Sequence, residues 1–169
     1  MRIAICPGSF DPVTKGHLNI IERSAKLFDV VIALVLVNPN KRPVFTAEER
    51  VDFLRRACAG IPNVKVDSYF GLLADYARTV GACTIIKGLR AVTDFEYEFQ
   101  QALTNKKLNS ELETMFVITD SNYMYLSSSM VRQVAQFGGD VTDFLPECIC
   151  QDIVARLPRL ENKKQEETL

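Results

Sequence analysis

The sequence predicts an α/β fold, a doubly wound five-stranded parallel sheet with helices on both faces, and three observations predict it. Short apolar runs rich in β-branched residues alternate with segments whose apolar residues recur at every third and fourth position. The longest short run, Val30 to Val37, shows no polar/apolar alternation, as expected of a strand buried on both faces. Five such runs are separated by helical segments rather than by tight turns, which calls for right-handed crossovers between parallel strands.

Ile3-Ala4-Ile5-Cys6 is the first strand, and the segment after it places Leu18, Ile21, Ala25 and Phe28 on one helical face. Val30 to Val37 is the second strand. Thr46-Ala47-Glu48-Glu49 then reads as a capping box, in which hydroxyl and carboxylate each satisfy a free backbone donor, with Ala47, Val51, Leu54 and Cys58 as the helix stripe. Residues 64–66 form the third strand; Leu72, Leu73, Tyr76, Ala77 and Val80 mark the third helix, closed by Gly81. Thr84-Ile85-Ile86 is the fourth strand, followed by a helix carrying Phe95, Phe99, Ala102, Leu103 and Lys106, and Met115-Phe116-Val117-Ile118 is the fifth. Ser127-Ser128-Ser129 supplies caps for a helix bearing Val131, Val134 and Ala135 that ends at Gly138-Gly139. A last helix is expected to take Pro146 as its first residue and to stop before Pro158. The expectation is one domain over residues 1–160 and a polar tail over 161–169.

Charge narrows the function. Twenty Lys and Arg against 21 Asp and Glu leave a net charge of -1, so no global basic field is present to hold nucleic acid or an anionic membrane. Any polyanion must be small and met locally. The five cysteines, at 6, 58, 83, 148 and 150, include no Cys-x-x-Cys pair, and the single histidine completes no zinc set. Free buried thiols in a reducing, cytoplasmic setting are therefore expected. An apolar run of eight residues is far short of the roughly 18 that span a bilayer, and the first residues lack a signal-peptide core.

Parallel sheets of this kind bind ligands beyond the carboxyl ends of their strands, so the loops after Cys6, Val37, Ile86 and Ile118 hold the chemistry. The first contains no dinucleotide fingerprint and no P-loop. It offers instead Gly8 and Gly16 for close backbone approach, Thr14 as a cap, and His17 in a helix's first turn, where backbone N–H groups and the helix dipole favour a phosphate. The second carries Lys41 and Arg42 between prolines, and the third is Lys87-Gly88-Leu89-Arg90. Two pairs of cations at one sheet edge, in an otherwise balanced protein, point to a multiply phosphorylated substrate.

Gly8-Ser9-Phe10-Asp11-Pro12 followed by Thr14-Lys15-Gly16-His17 resembles the (H/T)xGH signature of the cytidylyl- and adenylyltransferase superfamily. Taken with Lys87-Gly88-Leu89-Arg90, Asp94-Phe95-Glu96-Tyr97-Glu98, Ser127-Ser128-Ser129, Gly139-Asp140-Val141 and Leu145-Pro146, the chain is similar to the bacterial phosphopantetheine adenylyltransferase family from about residue 2 to about 157. The resemblance implies a Rossmann-like five-stranded sheet followed by C-terminal helices. It also implies adenylyl transfer from ATP to 4'-phosphopantetheine, giving 3'-dephospho-CoA and pyrophosphate in coenzyme A biosynthesis. Mg2+ accompanying ATP, a homohexamer, and CoA as feedback inhibitor are further implications.

By position, the resemblance assigns Ser9 and Phe10 to ATP, Ser9 also to the acceptor, and His17 to the ATP phosphates and the transition state. Lys41 and Lys87 would hold the acceptor phosphate and the reacting phosphates, with Arg90 as a further catalytic cation, and Leu73 would line the pantetheine channel. Gly88, Leu89, Arg90, Glu98 and the loop of Tyr123, Met124, Tyr125, Leu126, Ser127, Ser128 and Ser129 would surround the nucleotide. No residue is assigned to bind a metal. Two positions depart from the pattern of some members: Lys87 stands where they have arginine, keeping charge without the planar fork, and Gly71 where they place an acidic residue beside the pantetheine arm. Two alternatives stay open on residues alone: a sister transferase with another phosphorylated acceptor, such as nicotinamide mononucleotide, and a nucleotide-sensing module without catalysis.

Overall fold

The structure, a computed structural model, describes residues 1–39, 42–157, 159 and 160. Its elements run β1 (Ile3–Gly8), α1 (Lys15–Ala25), β2 (Val30–Val37), α2 (Ala47–Ala57), β3 (Val64–Phe70), α3 (Leu73–Val80), β4 (Thr84–Leu89), α4 (Val92–Leu108), β5 (Glu113–Ile118), α5 (Ser128–Gln136) and α6 (Cys150–Arg156). All strand pairs are parallel, in the order β3-β2-β1-β4-β5. The strands extend past their expected ends because backbone pairing continues where side chains turn polar: β3 reaches Phe70 through Asp67 and Ser68.

The register positions the site. β1 stays paired with β2 from Ile3↔Val30 to Gly8↔Val35, whereas its ladder with β4 is confined to Ala4↔Thr84 and Ile5↔Ile85. Beyond Ile5, β1 and β4 part, so the sheet opens at its carboxyl end where the strand order reverses. That gap is where such sheets receive ligands.

Alternation along the central strands divides the core. Ala4, Cys6, Ala33, Val35 and Ile86 face α1, α2, α5 and α6, meeting Ile20, Ile21, Val51, Leu54, Val131 and Ile153. Ile5, Ile32, Leu34 and Ile85 face the other way, against Leu73, Ala74, Tyr76 and Ala77 of α3. Cover on this second face is incomplete. Helix α4 has no buried residue; Phe95 stacks on Phe99 at 5.4 Å and meets Phe116 edge-on at 5.5 Å, but Leu103 is 56% exposed.

The capping box at Thr46 forms as the sequence predicts, with Glu49 N–H donating to the hydroxyl (3.2 Å) and Thr46 N–H to the carboxylate (2.7 Å). The last helix begins differently. Pro146 lies outside it with an extended ψ of 132°, and a 3-10 turn over Glu147–Ile149 precedes α6, closed by Ile149 N–H donating to the Pro146 carbonyl. Fully buried Ile149 anchors that turn in the core, which sets the helix start at Cys150, four residues after Pro146. Pro158 and the tail 161–169 fall outside the described residues.

All five cysteines are unpaired, but only Cys6 and Cys58 are buried; Cys83 and Cys148 are exposed and Cys150 is half-buried. Burial pushes the Cys6 thiol up to about 12 and Cys58 to about 11, so both behave as small apolar groups.

Candidate functional site

The loop between β1 and α1 is built by local hydrogen bonding. Thr14 is the N-cap of α1, its hydroxyl accepting from His17 N–H at 3.4 Å, while the Thr14 N–H donates to Nδ1 of His17 at 3.1 Å. This is a capping box with histidine where glutamate or glutamine is usual. Thr-x-x-His spacing is thus a helix start that holds an imidazole at the helix's positive end. Gly16 sits between them because a Cβ there would come within 3.3 Å of Tyr123 Cβ, so the loop after β5 closes directly onto α1. The ring of Phe10, 4% exposed, meets His17 edge-on at 5.2 Å.

Elements distant in sequence then fix this loop. The carboxylate of buried Asp11 accepts from Val44 N–H (3.1 Å), Phe45 N–H (3.0 Å) and Nη1 of Arg132 on α5 (3.1 Å), and Arg132 also donates to the Asp11 carbonyl. Arg50 of α2, buried, donates to the Ser9 carbonyl at 2.8 Å and to the Thr46 carbonyl at 3.2 Å. Ser128 donates to the Pro12 carbonyl at 2.8 Å, and Lys15 N–H to the Phe144 carbonyl at 2.9 Å. Ser9, partly exposed at the end of β1, is therefore held through its own carbonyl.

On the other side of the gap, Gly88 lets β4 approach α1, since a Cβ at this position would lie 3.0 Å from Ile20 Cγ1. Arg90 is braced by Asp94 (Nε to carboxylate, 3.1 Å) and donates to the Leu126 carbonyl at 2.7 Å. Lys87 pairs with Glu98 at 3.0 Å. Asp94 and Glu98 stand one turn apart on α4, so a single helix face neutralises both cations of the β4 loop.

The structure gathers Ser9, His17, Arg90 and the 123–129 loop around the carboxyl end of β1. Within that loop Met124 and Tyr125 are exposed, Leu126 is buried, and Ser127 caps α5 by accepting from Met130 N–H at 3.1 Å and lies 3.2 Å from the hydroxyl of exposed Ser129. Leu89 ends β4, its carbonyl accepting from Thr119 N–H. Lys87 and Leu73 are not on the imidazole's side: Lys87 projects toward α4, and Leu73 is buried against the α3 face of the sheet. They can meet a ligand shared with His17 only through the gap between β1 and β4. Lys41 lies outside the described residues.

Burial, reinforced by the positive charge of Arg90, lowers the His17 pKa to about 4. The imidazole is neutral across the physiological range, so it offers a hydrogen bond rather than a charge. Among the described residues, Arg90 and Lys87 are cations beside the gap.

Asp11, Arg50 and Arg132 are functional neighbours that sequence reading did not single out. A weak signal existed: Arg50 follows the Thr46 cap by four residues and Arg132 follows Ser128, the first residue of α5, by four, so each lies on the same helical side as a residue at the start of its helix.

The cytidylyltransferase-like family model matches residues 5–134. A protein named phosphopantetheine adenylyltransferase from Caldanaerobacter subterraneus subsp. tengcongensis is 54% identical over 94% of this chain and 99% of its own length. Proteins of the same name from Heliobacterium modesticaldum and Clostridium perfringens are 56% identical (88% of this chain, 89% of theirs) and 51% identical (96% and 99%). A crystal structure named for nicotinate-nucleotide adenylyltransferase from Vibrio parahaemolyticus superposes with a TM-score of 0.64 at 20% identity, covering 92% of this chain and 96% of that one; it shares the fold.

Two outcomes follow from this geometry. Asp11→Asn, which removes the charge that three donors share, is expected to lower unfolding free energy by about 1.5–3 kcal/mol in urea titrations. Because the unfolded chain binds a proton at His17 near pH 6.5 and the folded chain only near 4, stability falls as pH drops through that window. His17→Gln should lose less stability between pH 7 and 4.5 than the parent, measured by thermal melting.

Proposed function

The chain belongs to the phosphopantetheine adenylyltransferases of the cytidylyltransferase-like family, and from that premise we propose how its residues perform the reaction. The reaction transfers the adenylyl group of ATP to 4'-phosphopantetheine, releasing pyrophosphate and forming 3'-dephospho-CoA, a step of coenzyme A biosynthesis. The observation that carries the residue assignment is the neutral imidazole at the start of α1, set beside Arg90 where β1 and β4 part.

The attacking group is a phosphate oxygen, already ionised near neutral pH because the second phosphate pKa is about 6. No general base is needed. The barrier is electrostatic: two anions must meet at the α-phosphorus, and charge must pass to the leaving pyrophosphate. Fixed donors that match this charge supply most of the rate enhancement in such transfers. His17 donates a hydrogen bond to the α-phosphate region. Arg90, Lys87 and Lys41 offset the phosphate charge and align acceptor and donor. Ser9 and Phe10 contact ATP, with Ser9 also meeting the acceptor. Gly88, Leu89, Glu98 and the 123–129 loop form its walls, and Leu73 lines the path of the pantetheine arm.

Mg2+ enters with ATP. The carboxylates beside the β4 loop, Asp94 and Glu98, are already paired with Arg90 and Lys87, and that of Asp11 with Arg132, which fits an ion whose ligands are mainly phosphate oxygens and water. CoA retains the pantetheine and nucleotide groups of the product and acts as a competing inhibitor at the same site. The protein works in the cytoplasm; no helix among the described residues is long and apolar enough to cross a membrane. It assembles as a homohexamer, a reading supported by the uncovered α4 face, where Val92 (82% exposed), Phe99 and Leu103 recur at helical spacing as an apolar surface on the helix that packs beside edge strand β5.

Incubation with Mg-ATP and 4'-phosphopantetheine should yield dephospho-CoA on chromatography with stoichiometric pyrophosphate; turnover with nicotinamide mononucleotide instead would support the sister transferase. His17→Ala should lower kcat by ~10²- to 10³-fold with little change in ATP affinity, and near-normal turnover would remove His17 from the mechanism. Sedimentation should give the mass of six chains, and Leu103→Glu should shift it to smaller species. A monomeric parent would refute the assembly.

A further inference from the structure

His17 has two ring nitrogens, and only the one carrying a proton can donate to a phosphate. The surroundings of Nδ1 decide which one that is. The Thr14 peptide N–H points at Nδ1 from 3.1 Å, and a peptide N–H can only donate. The Thr14 hydroxyl lies 3.0 Å from the same nitrogen; since its oxygen accepts from His17 N–H, its own proton is available to Nδ1. A hydrogen on Nδ1 would face the peptide hydrogen. The edge-on Phe10 ring backs the imidazole at 5.2 Å.

We propose that Thr14 is a positioning residue that fixes the His17 ring with its proton on Nε2, leaving Nδ1 as an acceptor tied to the helix cap. This deepens the adenylyl-transfer reading and rests on it for the direction in which Nε2 acts. The Nε2–H then projects away from the cap as a donor of fixed orientation. Burial first and Arg90 second oppose a charged ring, and a helix N-terminus does the same, so a neutral donor is the form this position favours. The usual capping-box partner explains why the residue is histidine. Glutamate at this position would cap the helix equally well, yet place a negative charge where ATP phosphates arrive. The chain departs from the common local pattern at the residue its chemistry needs.

His17 is the chain's one histidine, so its imidazole can be read without assignment ambiguity. The test is a long-range proton–nitrogen correlation spectrum of the 15N-labelled full chain at pH 7, without substrate. One protonated and one unprotonated nitrogen are expected, the protonated one being Nε2. Thr14→Ser keeps the hydroxyl and should leave the spectrum and kcat nearly unchanged. Thr14→Asp keeps a good N-cap but offers Nδ1 an acceptor, so the proton should move to Nδ1 or the ring should gain a second one. Its kcat should then fall by at least ~10²-fold while KM for ATP changes little. A parent spectrum with the proton on Nδ1 overturns the proposal. So does a Thr14→Asp protein that is folded by circular dichroism, has lost the parent's ring state and yet retains kcat. The spectrum is taken on resting protein, so absence of dephospho-CoA formation by the parent would count against the functional reading alone.

Discussion

One carboxylate holds the active end of this molecule together. Asp11 is buried at the mouth of β1, where its oxygens receive two backbone N–H groups from the segment before α2 and the guanidinium of Arg132 from α5. The three donors come from parts of the chain more than thirty and more than a hundred residues away. A buried anion is costly unless every lone pair is used, and here several are. Loss of any one donor leaves the others facing an under-satisfied charge, so the β1–α1 loop, the entry to α2 and the start of α5 behave as one unit. His17, Ser9 and the serine loop keep their mutual geometry because they belong to that unit.

The second constraint is the handling of positive charge. Lys87 and Arg90 stand near the gap between β1 and β4, and their charge is offset by Glu98 and Asp94 on successive turns of α4. These pairs are partly exposed, so each contributes little to stability. His17 is different in kind. Burial and Arg90 keep it uncharged, which adds a directional donor to the site without adding to the crowding of cations.

Much of the fold was legible because its signals are local. The undivided apolar run Val30–Val37, the capping box at Thr46 and Gly81 after α3 each rest on contacts within a few residues, and each element formed where expected. Pro146 was misplaced by that same local logic: proline fits a first helical turn, but the burial of Ile149 drew a 3-10 turn ahead of α6. For the site, the Thr14–His17 spacing was readable as a helix start. That the imidazole itself completes the cap was not, because histidine is not the residue that usually does so.

The sequence by itself determined the α/β class, the starts of α1, α2 and α5 and, through its joined motifs, the family and reaction, because spacing, capping and apolar period are properties of neighbouring residues. Only the tertiary structure decided that β1 and β4 part after Ile5, that Lys87 faces α4 while His17 sits on α1, and that Asp11, Arg50 and Arg132 brace the loop. Those relations join residues far apart along the chain, and their energies come from burial and charge pairing that exist only once the sheet is assembled.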